Sequence, residues 1–258
     1  GGNELLGYLQ ALAKDFELEQ YIRLNQHVVS TDWDEEDALW KVNTSDGVTF
    51  YSRVLIPAWG QLGTPSIPNF PGLADFKGKT FHSAQWDHTI DLSGLKVGSI
   101  GAAASAVQYV PEVAKVAGHL SVFQRSANYI LPRNQKIFSE SELAEFASNP
   151  DTYRELRQSI HDEREAGFER TRRATDAAAE GMAAAKEHLE EQIQDPILRE
   201  KFTPDYDFGC KRILRTDDFY PAFNRDNVEL VTEGIARITE NGIITKDGVE
   251  HELDVIVF

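Results

Sequence analysis

Cysteine is almost missing: the chain has one, Cys210, in 258 residues. A lone thiol cannot close an internal disulfide, build a thiolate metal cage or form the paired-thiol redox centre of the disulfide reductases. Long apolar runs are also lacking. No stretch approaches the roughly 18 residues of a membrane span, and no basic patch precedes an apolar segment at the N-terminus, so neither an anchor nor a signal peptide is expected and a cytoplasmic location is. Positive charge is scarce, with 26 Lys and Arg against 42 Asp and Glu and a net charge of −16. General adhesion to nucleic acid needs a clustered basic surface, so it is excluded, and any phosphate the chain binds must meet a few placed cations. The seven histidines are scattered. Only His82 and His88 fall close together, without the spacing that puts two ligands on one helix face, so no metal site is expected. Nothing here bears on oligomeric state.

An apolar content of 41% in a chain of this length is enough to bury a sizeable core, in one large domain or two smaller ones. Leu5, Leu6, Leu9, Leu12, Ala13 and Phe16 repeat at helical spacing over residues 3 to 16. Residues 27–33, 39–44 and 48–56 alternate apolar with polar, and Ser45-Asp46-Gly47 supplies a turn, which reads as a three-stranded meander. Gly60, Gly63, Pro65, Pro68, Pro71 and Gly72 then break regular structure over residues 60–75. Residues 95–100, a helix from Gly101 to about Ala117 and residues 119–124 make a βαβ unit. From 139 to about 208 the chain turns alanine-rich and charged, with helix starts at Asn149-Pro150 and Asp195-Pro196, and Glu169 is expected to pair with Arg173 on a solvated helix face. Short strands return after Asn227, with turns at Asn241-Gly242 and Asp247-Gly248. The expected fold is α/β: a Rossmann-like domain over residues 92–258 with a helical insertion at about 139–208, preceded over residues 1–91 by part of a second domain carrying the meander. The chain opens without methionine and closes on Asp254-Val255-Ile256-Val257-Phe258, which reads as a buried strand just begun, so a fragment of a longer protein is expected.

Gly101-Ala102-Ala103-Ala104-Ser105-Ala106 follows a strand and opens a helix, the context in which a dinucleotide fingerprint bends sharply and brings its backbone to a pyrophosphate. Gly101 fills the first glycine position and Ala106 the small third position. Ala103 replaces the second glycine, and its methyl would crowd the phosphate at a cost of about 1–3 kcal/mol. A simple strand-to-helix turn with an alanine packing face remains the alternative. Arg125 follows Gly101 by 24 residues, at the end of the next strand, where an acid would hold the ribose of NAD and an arginine suits the extra phosphate of NADP.

Phe76-x-Gly78-x-x-x-His82-x-x-x-Trp86-Asp87 resembles the fingerprint of the Baeyer-Villiger monooxygenases. Gly101 to Gln108 is similar to that family's NADP turn, Val122 to Ser126 to its phosphate-reading strand end, and Phe208-Gly209-Cys210-Lys211-Arg212 to its active-site loop. Asp217 to Val231 is similar as well, and the likeness loosens only in the helical insertion. The resemblance implies an enzyme that uses FAD and NADPH to insert one atom of O2 beside a ketone carbonyl, giving an ester or lactone. Its FAD domain would be split between both ends of the whole protein, with the NADP domain between, and Ala58-Trp59-Gly60 would stand at a hinge where Trp59 is unusually bulky.

By the same resemblance, Gly101, Ala103, Ser105, Ala106 and Gln108 lie where the turn approaches the diphosphate, and Arg125, Ser126 and Lys211 where the 2′-phosphate is held. Arg212 would be the catalytic arginine. His82 and Trp86 would link domain movement to NADP binding rather than do bond chemistry, with Phe76, Gly78 and Asp87 completing the fingerprint. A guanidinium stays protonated in a dry site where a lysine can lose its proton, which favours Arg212 for stabilising developing negative charge and Lys211 for a point contact to phosphate. His82 reads equally well as a capping histidine, Trp86 as core packing and Cys210 as an inert small residue. The alternatives are a flavin monooxygenase acting on nitrogen or sulfur, and a non-catalytic NADP-binding fragment.

Overall fold

A computed structural model describes residues 2–60 and 62–258. The chain divides into two compact units, Gly1–Gly63 and Thr64–Phe258. In the first, helix α1 (Gly2–Asp15) precedes strands β1 (Val28–Asp34), β2 (Leu39–Thr44) and β3 (Thr49–Ser52), which pair in the antiparallel order β1-β2-β3. The third strand stops earlier than the alternation suggested. Trp33 faces Trp40 across β1 and β2, their rings edge to face at 5.5 Å. The turn from β2 to β3 is closed by Thr44 and Val48, with Asp46 accepting from the Thr44 hydroxyl and Gly47 at φ 84°. No residue of α1 is buried, and Thr44 is the only buried residue among the described residues of this unit. Among its described residues the unit therefore has no buried apolar core, although its sequence carries an amphipathic helix.

The second unit is built on a five-stranded parallel sheet. In chain order its parts are β4 (Lys79–Phe81), β5 (Lys96–Ile100), helix α2 (Ala106–Val116) and β6 (His119–Phe123). A two-residue strand β7 (Ile130–Leu131) leads into helices α3 (Glu140–Ser148), α4 (Pro150–Ala166), α5 (Asp176–Gln192) and α6 (Pro196–Phe202). Strand β8 (Leu214–Arg215) pairs in parallel with β7, and the short helix α7 (Phe219–Ala222) follows. The chain ends through β9 (Val228–Val231), β10 (Ile235–Ile238), β11 (Gly242–Thr245), β12 (Glu250–Glu252) and β13 (Val255–Val257). The main sheet runs β4-β13-β5-β6-β9, and β10-β11-β12 form a separate antiparallel sheet.

Both faces of the main sheet are covered, as expected of parallel strands. Val255 and Val257 of β13 enter one apolar cluster with Val97, Val110, Leu120 and Phe219, while Ile256 and Phe258 point into another with Phe123, Ile238 and Ile243. The apolar run at 254–258 is thus a central strand, held on one side by β4 and on the other by β5.

Two expectations need correction. Residues 64–91 pack with the second unit and not with the first, because β4 is an edge strand of its sheet and the Phe70, Leu73 and Phe76 side chains join the second cluster. Gly78 permits this: a Cβ there would lie 2.3 Å from the Asp254 carbonyl oxygen and 2.5 Å from the Phe76 ring. Glu169 pairs with Arg172 at 3.0 Å, not with Arg173, because the chain there is a 3-10 turn whose exit bends at Ala174 with φ 59°. Arg173 reaches Asp207 instead. The helix starts at Pro150 and Pro196 are as expected, each proline occupying the first turn with Asn149 or Asp195 capping it.

Candidate functional site

β5 ends at Ile100 and the chain turns at Gly101, whose φ of 112° is closed to ordinary L side chains. The Gly101 amide donates to the Phe123 carbonyl at the end of β6, at 2.9 Å. The next two carbonyls are both drawn into the protein. Gly101 O accepts from the Ser99 hydroxyl at 3.1 Å, and Ala102 O accepts from the Asn128 side-chain amide at 3.1 Å. In a planar trans peptide the carbonyl and the following N–H point in opposite directions, so fixing these two carbonyls turns the Ala102 and Ala103 amides outward. Among the described residues, no acceptor meets the backbone N–H of Ala102, Ala103, Ala104 or Ser105. Ser105 caps α2 without a side-chain hydrogen bond. Four consecutive amides at a helix start are thus without an acceptor among the described residues, a donor set suited to an anion.

Ala106, at 3% exposure, packs α2 against the core, which explains the need for a small residue at the third position of the motif. Ala103 is exposed, so its methyl lies on the open side of the turn. The Gln108 side chain donates back to Ala104 O at 2.7 Å.

The loop after β6 brings a cation beside this turn. Lys211 Nζ donates to Ser126 Oγ at 2.8 Å and sits 4.2 Å from the centroid of the Tyr206 ring. Its position is over-determined. The Tyr206 hydroxyl donates to Ala127 O at 3.0 Å, the Tyr129 hydroxyl donates to Tyr206 O at 2.8 Å, and the Tyr129 ring stacks edge to face on Phe208. Gly209, at φ 86°, passes so close to Thr171 that a Cβ would lie 2.8 Å from its Cα. Arg125 is exposed next to Ser126, and no carboxylate occurs between Phe123 and Leu131. Arg212 is also exposed, and among the described residues neither arginine has a hydrogen bond or ion pair. The chain bends at Lys211 and is irregular at Arg212. Cys210 is exposed.

The fingerprint segment adjoins the turn from the other side. Trp86 packs on Phe81 with ring centroids 5.0 Å apart and on Tyr109 of α2 at 5.3 Å. Tyr109 in turn hydrogen-bonds Ser99, the donor to Gly101. His82 caps a short 3-10 turn, its Nδ1 accepting from the Ala84 amide at 3.0 Å. Asp87 accepts from the Thr89 hydroxyl and amide, and these bonds hold its carboxyl below the usual range. Phe76 and Gly78 serve the seam between β4 and β13.

The sequence-expected residues Gly101, Ser105, Ser126 and Lys211 thus gather at the C-terminal ends of β5 and β6, the usual place for a ligand in an open α/β sheet. Trp59, 78% exposed, belongs to the first unit. Three residues that shape the turn were missed: Ser99, Tyr109 and Asn128. Only their polarity inside apolar segments marked them.

A family model for the pyridine nucleotide-disulphide oxidoreductases matches residues 1–236. The chain belongs to that family. Its single cysteine leaves it unable to supply the paired thiols of the family's name. The chain is 36% identical over 255 residues to a Baeyer-Villiger monooxygenase of Pseudomonas aeruginosa, covering 99% of this chain and 48% of that protein. A phenazine N-monooxygenase of Lysobacter antibioticus is 32% identical over 295 residues, covering 99% and 54%. Among solved structures, an oxidized steroid monooxygenase bound to NADP is similar with a TM-score of 0.85 and 33% identity, over 99% of this chain and 56% of that one. The chain spans about half the length of the relatives it matches. Among the described residues, no helix is long and apolar enough to cross a membrane.

Proposed function

We propose that Thr64–Phe258 is the NADPH-binding unit of an FAD-dependent monooxygenase that inserts one oxygen atom of O2 beside a ketone carbonyl. The observation that carries the NADPH part is the turn itself. Among the described residues four consecutive amides, Ala102 to Ser105, have no acceptor, those of Ala102 and Ala103 are turned outward, and the neighbouring loop carries Lys211 and Arg125 with no carboxylate at the strand end. The residues present fit a 2′-phosphorylated dinucleotide. The amides of Ala102 to Ser105 would hold the diphosphate, and Lys211, Ser126 and Arg125 the 2′-phosphate; an acid in their place would have repelled it.

FAD is the flavin named for relatives of this chain. When bound it supplies the reduced ring that activates O2. The described residues of the first unit have no buried apolar cradle for it. What this chain contributes is binding and orientation, together with Arg212, a permanent cation with no partner among the described residues. Arg212 would stabilise negative charge as oxygen transfers to the substrate, and Phe76, Gly78, His82, Trp86 and Asp87 would tie the turn to movement of the whole protein.

A second reading, oxygenation of nitrogen, is favoured by one observation, the similarity to the phenazine N-monooxygenase. Offering the full-length protein a cyclic ketone and a tertiary amine together, with NADPH and O2, separates the two. Lactone as the main product is expected. N-oxide alone would replace this reading with the second, and no NADPH-dependent product from either would leave a nucleotide-binding role only.

A further inference from the structure

Ser99 is fully buried in β5, and its hydroxyl has two oxygen neighbours: Gly101 O at 3.1 Å and the Tyr109 hydroxyl at 2.7 Å. A carbonyl has no proton to give. If Ser99 spends its single proton on Gly101, its oxygen is left to accept from Tyr109. The reverse direction would strand the Gly101 carbonyl without that donor and leave the inward Tyr109 proton without an acceptor. Both hydroxyls are satisfied in only one sense, from Tyr109 through Ser99 to Gly101. Burial pushes the Tyr109 phenol up to about 12, so the relay keeps its protons at ordinary pH. The Tyr109 ring is clamped in place by Trp86 at 5.3 Å.

We propose that Ser99 and Tyr109 are positioning residues that set the Gly101–Ala102 peptide, aim the Ala102 amide at the diphosphate and so fix the affinity of the turn for a dinucleotide. This deepens the NADPH reading above and rests on it. Gly101, with φ 112° and nothing within 4 Å of where a Cβ would stand, has no side-chain packing to hold its peptide plane. The relay does that work from the buried side, and Asn128 does the same for the next peptide.

The test is calorimetry on the 258-residue chain with three ligands: NADP+, NAD+ and adenosine 2′-phosphate, which has no diphosphate. Ser99→Ala removes the donor to Gly101 and weakens NADP+ and NAD+ by about tenfold each, equivalent to the roughly 1.4 kcal/mol of one net hydrogen bond. Tyr109→Phe keeps the ring against Trp86 and costs about threefold, through lost polarisation of Ser99. The double variant leaves no stranded hydroxyl, folds as the parent does, and loses about tenfold rather than the roughly thirtyfold of independent effects, because both groups serve one carbonyl. Adenosine 2′-phosphate binds all four chains equally. General loosening of the fold would weaken all three ligands together, and that result overturns the proposal, as does unchanged NADP+ affinity in Ser99→Ala. If the unsubstituted chain binds none of the three ligands, the NADPH reading falls, and this inference with it.

Discussion

Replacing Lys211 with methionine isolates the charge proposed to distinguish one nicotinamide dinucleotide from the other. The methionine keeps an unbranched stem over the Tyr206 ring and loses only the ammonium, which sits 2.8 Å from Ser126 Oγ and 4.2 Å from the ring centroid. A hydrogen bond to a charged group contributes about 1.5–3 kcal/mol. Lys211 is exposed, so solvent screening sets the effect near the low end, about tenfold in NADP+ affinity at 0.1 M salt. NAD+ offers no phosphate at that position, and its affinity is expected to stay the same. Loss of the cation over Tyr206 costs about 0.5–1 kcal/mol of fold stability, a small change in the thermal melt. The assay is paired calorimetric titration with NADP+ and NAD+ at two salt concentrations, with the NADP+ preference shrinking at the higher one. Equal weakening of both nucleotides, or an unchanged preference, would refute the assignment of Lys211 to the 2′-phosphate.

Gly78→Ala forces a methyl to within 2.3 Å of the Asp254 backbone oxygen, and overpacking of this kind costs about 1–3 kcal/mol, seen as a lower melting temperature with β4 loosened first in hydrogen exchange. Ile256→Ala empties a fully buried site in the central strand and is expected to cost about 2–5 kcal/mol in denaturant unfolding. The Glu142 carboxyl is held at about 2, first by Lys136 and then by its capping bonds to Ser139. Because the folded value lies below the ordinary 4.5, the cap is complete above about pH 4.5 and is lost as pH falls toward 2. Carboxyl NMR titration of Glu142 should show that low midpoint, and Glu142→Gln should abolish the acid fraying of α3.

Much of this architecture was legible from local pattern. Period-2 alternation found the meander, proline and asparagine marked the helix starts, and the strand-glycine-helix order located the turn. What failed was decided by distant contacts. Residues 64–91 were grouped with the N-terminal part because linker composition marks a break without saying which side it packs on, and that depended on β13, more than 170 residues later. Arg173 was matched to Glu169 by helical spacing, but the backbone is not α-helical there and Asp207 lies in reach. In the candidate site, Gly101 and Lys211 were singled out by motif, and they lie at the turn and against Ser126 respectively. Ser99, Tyr109 and Asn128 were not, because a hydroxyl inside an apolar strand or a lone amide after one has no signature until its partner is known.

The proposed seat of the dinucleotide diphosphate is the row of amides from Ala102 to Ser105, which has no acceptor among the described residues. Its most direct test is a crystal structure of the chain soaked with NADP+. The expected result is diphosphate oxygens within hydrogen-bonding distance of those amides, with the 2′-phosphate at Lys211 and Ser126. Nucleotide bound elsewhere, with the four amides still facing water, would contradict it.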